Sequence, residues 1–142
     1  MSDFSAFLAQ NKVKQENVKF AVSKSFIGSD GKPIEWELRP VTADEDEAIR
    51  RAATRKVKVA GRSNQYTSEM DANTYLAKLT AASVVYPDLK NADLQNSYKV
   101  MGEEALLKAM LTGGEFVTLS GKVAEINGFD TDINEAVEEA KN

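Results

Sequence analysis

Four stretches of this sequence carry groups that could do chemistry, and most of them break down on spacing. Gly121-Lys122 resembles the close of a phosphate loop, in which backbone amides cradle phosphate and the lysine reaches its outer oxygens. The glycine needed five positions earlier is Phe116, and Val123 replaces the Ser or Thr that would hold magnesium. Asp130-Thr131-Asp132-Ile133-Asn134 opens like a calcium loop, but Glu135 occupies the turn-glycine position and Lys141 that of the bidentate Glu. Asp44, Glu45, Asp46 and Glu47 could be metal ligands or an acid/base pair, yet consecutive residues on a helix point in different directions. A negative first turn favoured by the helix dipole explains them better. Arg50, Arg51, Arg55, Lys56, Lys58 and Arg62, followed by Tyr66, form a nucleic-acid candidate. A solvated helix end is the plainer explanation.

The chain contains no His and no Cys. The usual general base, the commonest metal ligand, thiol nucleophiles and disulfides are therefore excluded together. Catalytic, metal-binding and cofactor-binding residues are all expected to be none, and the protein is expected not to be an enzyme. With 18 basic and 22 acidic residues the net charge is -4, which argues against a polyanion as main partner. Met1-Ser2-Asp3-Phe4 lacks the features of a secretory signal, and no apolar run approaches the ~20 residues of a membrane span. A cytoplasmic protein without a membrane partner is expected.

An α+β fold follows from the periodicities: an N-terminal β-hairpin packed on four to five short helices. Phe4, Phe7 and Leu8 share a face of a short amphipathic start. Val18, Phe20 and Val22 alternate with Lys19, Ala21 and Ser23, and Ile34, Trp36 and Leu38 alternate with Glu35, Glu37 and Arg39. Gly28 to Pro33 supplies the turn between them. Thr42 and Glu45 have capping-box spacing, and the helix they open is expected to carry Arg55 and Lys56 in its later turns. Residues 57–70 are polar, carry Gly61 and lack a clear period, so a long loop is expected.

Helical spacing resumes after Asp71 and is expected to run to Tyr86, where Pro87 stops it. Asn91 is placed to cap a helix carrying Leu94 and Tyr98. Leu106, Leu107, Met110 and Leu111 share the face of another, which Gly113-Gly114 is expected to close. Phe116, Leu119, Val123 and Ile126 have core-facing spacing up to Asn127-Gly128. A single domain over 1–129 is expected, followed by an acidic tail or frayed helix over 130–142. A lone hairpin is unstable in water, so its apolar face must meet the helices or extend a sheet with another subunit, and a homo-oligomer fits the second case.

The order of several motifs goes further than any one of them. Ile34-Glu35-Trp36-Glu37-Leu38-Arg39-Pro40-Val41, Glu45 to Arg51, Gln65-Tyr66-Thr67, Tyr75-Leu76-Ala77-Lys78-Leu79, Val84-Val85-Tyr86-Pro87-Asp88-Leu89, Leu94-Gln95-Asn96-Ser97-Tyr98, Gly114-Glu115-Phe116 and Glu125-Ile126-Asn127-Gly128-Phe129 follow one another. This string resembles the XkdN/YqbN-like tail assembly chaperones of phages and defective prophages from about Val18 to Phe129. One departure is Lys99, which stands where the family pattern has a glycine, so a less sharp helix break is expected there.

The resemblance implies a protein that binds the tape measure protein, keeps it soluble and helps recruit tail tube subunits. It implies action in the bacterial cytoplasm and absence from the mature virion. It also implies a longer form of the chain made by frameshifting, with which Lys141-Asn142, encoded by A-rich codons, is compatible. Phe4, Phe7 and Leu8, with Tyr66, Met70 and Met101, are the expected partner-binding residues, since methionine and aromatic side chains make adaptable contacts. The alternatives are a structural tail component retained in the particle, or a small nucleic-acid-binding regulator using Arg50 to Arg62.

Overall fold

A computed structural model describes residues 3–129; the stretch 130–142, expected as a tail or frayed helix, lies outside the described residues. The fold is α+β. Two 3-10 turns, Asp3–Phe7 and Ala9–Asn11, lead into strand β1 (Val18–Phe20), which pairs antiparallel with β2 (Trp36–Leu38). Phe20 lies opposite Trp36 and Val18 opposite Leu38. Asp30 Oδ1 accepts the Lys32 amide at 3.0 Å, and Gly31 at φ +78° takes the left-handed turn position that a Cβ would resist. Trp36 and Leu38 are fully buried, as their alternation requires, whereas Ile34 lies at the exposed turn end.

The hairpin does not stand alone. Strand β5 (Val84–Tyr86) adds to the other side of β2, giving the order β1-β2-β5, all antiparallel. This corrects the expected run of helix to Tyr86: helix α2 (Ala72–Ser83) stops at Ser83, before the β-branched pair Val84-Val85. Those side chains suit a pleated strand, and central β2 has free amides and carbonyls for them to meet. Arg39 N donates to Ser83 O at 2.8 Å, continuing the ladder past a bulge.

Helix α1 (Ala43–Ala52) has the expected capping box, with Glu45 N donating to the Thr42 hydroxyl and Thr42 N to Glu45 Oε1. It is shorter than expected. Arg55 and Lys56 lie beyond it on β3 (Thr54–Lys58), which pairs antiparallel with β4 (Tyr66–Met70). The region expected to be a loop is thus a two-stranded ribbon, closed at its tip by Val59 N donating to Gln65 O at 2.9 Å. Its polarity concealed it: alternation marks a strand only when one face is buried, and nearly every side chain here is exposed.

Helices α3 (Ala92–Ser97), α4 (Glu103–Met110) and α5 (Gly113–Ile126) complete the fold. Gly113-Gly114 begins α5 and does not close α4; Thr112 caps it, reciprocally with Glu115. Lys99 takes φ +57° itself. Lys99 N donates to Asn96 O and Val100 N to Gln95 O, so α3 ends in a full Schellman turn despite the missing glycine.

Helix α2 lies at the centre, packed against α1, α4 and α5. Leu79, Leu106, Leu107, Leu119 and Val123 form the core with Trp36 and Leu38 from the sheet. Each such side chain contributes about 1.5–3 kcal/mol through burial. Thr80 and Ser120, both buried, satisfy one another across α2 and α5 at 3.1 Å. Asn127 joins three elements: its Oδ1 accepts Val41 N at 2.8 Å, and its Nδ2 donates to Val123 O and to Ser83 Oγ.

Candidate partner-binding surface

Three of the four acids that open α1, Glu45, Asp46 and Glu47, go to separate partners, as helix geometry requires. Glu45 accepts two hydrogen bonds from the Arg39 guanidinium, at 2.7 and 3.0 Å, which hold its carboxyl down at about 2 with help from the Thr42 amide. Asp46 accepts from the Tyr75 hydroxyl and from Arg50 Nε at 2.8 Å. Burial, then the Asp46 contact, pushes the Tyr75 phenol up. The Arg50 guanidinium lies over the Tyr75 ring at 4.7 Å from its centroid. Glu47 pairs with Arg51. These acids are structural partners, and among the described residues no group of three or more His, Cys, Asp and Glu side chains could hold a metal ion.

The exposed apolar side chains offer contact surface instead. Phe4, Phe7 and Leu8 lie on the N-terminal turns, with Phe7 85% exposed. Beyond them a depression of about 600 Å³ is lined by Ala9, Lys12, Val13, Asn17, Arg39 and Pro40. It adjoins a second, of about 480 Å³, through shared Asn17 and Arg39, and this one continues along Ala81, Val84, Val85, Leu89 and Glu103. The groove therefore runs from Ala9, the neighbour of Leu8, to Glu103, two residues after Met101. Met101 is 91% exposed in the joint between α3 and α4. The Arg39–Glu45 pair forms part of its wall.

Tyr66 and Met70 are elsewhere. They share a face of β4 with Ser68, and register places Lys58, Lys56 and Thr54 opposite them on the same face. The Met70 sulfur lies 4.0 Å from Arg50 Nη1, at the root of the ribbon. Of the six expected residues none lines either depression: Leu8 precedes Ala9 in the chain, Met101 stands two residues before Glu103, and Tyr66 and Met70 sit on a separate projection.

Besides Ile34 at the turn end, sequence reasoning missed four further exposed apolar residues. Val13 is 86% exposed in the first depression, and Ile27 flanks the β1–β2 turn. Val85 and Tyr86 belong to edge strand β5 and were concealed by the expected helix. The adjacent β-branched residues Val84-Val85 were the one signal that could have found that strand.

Among the described residues no helix is long and apolar enough to cross a membrane. The chain is similar over its whole length to two proteins of Bacillus subtilis (strain 168). It is 31% identical to the phage-like element PBSX protein XkdN, covering 99% of this chain and 94% of that one. It is 29% identical to YqbN, covering 99% and 93%. The crystal structure of the protein YqbN superposes with a TM-score of 0.76 at 25% identity, over 92% of this chain and 99% of that one. Residues 4–141 match the model of the phage XkdN-like tail assembly chaperones, and it is to this family that the chain belongs.

Proposed function

We propose that this chaperone binds the tape measure protein during tail assembly, keeps it soluble and helps recruit tail tube subunits around it. Family membership over residues 4–141 carries the proposal. The groove and its flanking residues supply a physical route. A long client with apolar segments aggregates through surface that water leaves exposed, and a protein that covers those segments lowers the concentration of free sticky surface. An amphipathic client helix would lie in the groove with its apolar side against Val13, Ala81, Val84 and Val85. Phe4, Phe7, Leu8 and Met101 would close over its ends, and Tyr66 and Met70 would give a second contact.

The protein would act in the host cell while tails are built and would be absent from the finished particle. Co-expression with the tape measure protein, followed by pull-down, tests the reading: the client is expected to be soluble with this chain and to aggregate without it. Unchanged client solubility and no co-purification would remove the proposal. Abundant copies of this chain in purified particles would instead make it a structural component.

A further inference from the structure

The β3–β4 ribbon is the part of the molecule that the groove does not absorb. Two strands projecting with both faces exposed bury too little to need a basic surface for folding. Yet residues 54–70 carry Arg55, Lys56, Lys58 and Arg62 against Glu69 alone, a net +3 in a chain of net -4. Lys56 and Lys58 make no ion pair among the described residues, and they share their face with Tyr66 and Met70. The surface thus combines unpaired cations with two exposed apolar side chains.

A segment of complementary character lies in the same chain. Residues 130–142 carry Asp130, Asp132, Glu135, Glu138 and Glu139 against Lys141, a net -4. Ile133, Ala136, Val137 and Ala140 recur at the spacing of one helical face. The starting point is also suitable. Phe129 lines a depression with Val41, Asp46, Glu47 and Arg50, and Arg50 reaches Met70 at the ribbon root, where Met70 pairs with Thr54. A segment of this length extends up to ~40 Å, and a five-residue strand spans about 17 Å, so the whole ribbon is within reach.

We propose that the β3–β4 ribbon is a docking surface for acidic segments with an apolar stripe, and that the chain's own residues 130–142 occupy it. The contact is intramolecular and electrostatic, with Tyr66 and Met70 meeting the apolar stripe. A tethered segment acts at an effective concentration near the millimolar range, so an acidic segment of a partner must displace it. This holds independently of what the groove binds.

Because the protein has no cysteine, Asn134→Cys gives one site for a nitroxide label in the full chain. The expected result is loss of the amide NMR signals of Lys56, Lys58, Tyr66 and Thr67 at low salt, and their return on reduction of the label. The loss should disappear near 1 M salt, where the Debye length is about 3 Å. It should also disappear with Glu135→Lys/Glu138→Lys/Glu139→Lys, which leaves the ribbon sequence intact and so separates lost docking from a misfolded ribbon. Unaffected ribbon signals at low salt would overturn the proposal. So would an undiminished loss in isotopically labelled, spin-free chains mixed with spin-labelled ones, which would make the occupant a second copy. Ribbon signals that ignore the label but shift with a short DNA duplex would assign the surface to nucleic acid.

Discussion

At the residue scale, the charges that open α1 are held by specific partners. Glu45 is the clearest case. Its folded carboxyl titrates near 2, below the value near 4.5 of an unpaired glutamate, because the Arg39 guanidinium stabilises the ionised form. A depressed folded value means that the contribution is complete above pH ~4.5 and is lost as the pH falls through about 2. Glu45→Gln should therefore lower stability at neutral pH and flatten its decline between those values. Urea denaturation midpoints of both proteins across that range check it, and parallel pH curves would contradict it. Tyr75→Phe tests the neighbouring pair. It removes the hydroxyl that donates to Asp46 in a buried position, at an expected cost of about 1–2 kcal/mol by denaturation.

At the element scale, helix termini show both an agreement and a correction. Capping boxes at Thr42 and Thr112 are local, so the first was legible from four residues. The second was obscured by Gly113-Gly114, because a glycine pair suits either side of a helix boundary and only packing chooses. The Schellman turn at Lys99 allows a direct test. A lysine at positive φ pays the left-handed penalty of about 1–2 kcal/mol, while glycine there would lose more chain entropy on folding. Lys99→Gly should gain a net of about 0.5–1 kcal/mol, and Lys99→Ala should change little. Thermal melts of the two variants decide it; equal stabilisation by alanine would mean that the conformation carries no strain.

At the scale of the whole molecule, burial and exposure divide stability from partner binding. Leu79 is fully buried on the central helix, so Leu79→Ala should cost about 2–5 kcal/mol in a denaturant titration. Phe4→Ala/Phe7→Ala removes side chains that face water, and each change should stay within about 0.5 kcal/mol. The same double variant should reduce tape measure co-purification while the melting temperature holds. Normal recovery of the client would detach the N-terminal turns from the proposed surface.

The sequence by itself determined whatever depends on neighbours along the chain: the first hairpin, the caps of α1, α2 and α3, and the leucine faces that became the core. It also singled out Phe4, Phe7 and Leu8 of the N-terminal turns, all three of which are exposed. Only the tertiary structure decided what depends on partners far along the chain. Val84-Val85 became a strand because β2 offered an unpaired edge, the polar run after Ala53 became a ribbon because its backbone groups could pair with each other, and the groove appeared only when the N-terminal segment, Arg39 and α4 came together. Local propensity cannot register such pairing, because the free energy that selects it comes from hydrogen bonds and burial between segments distant in sequence.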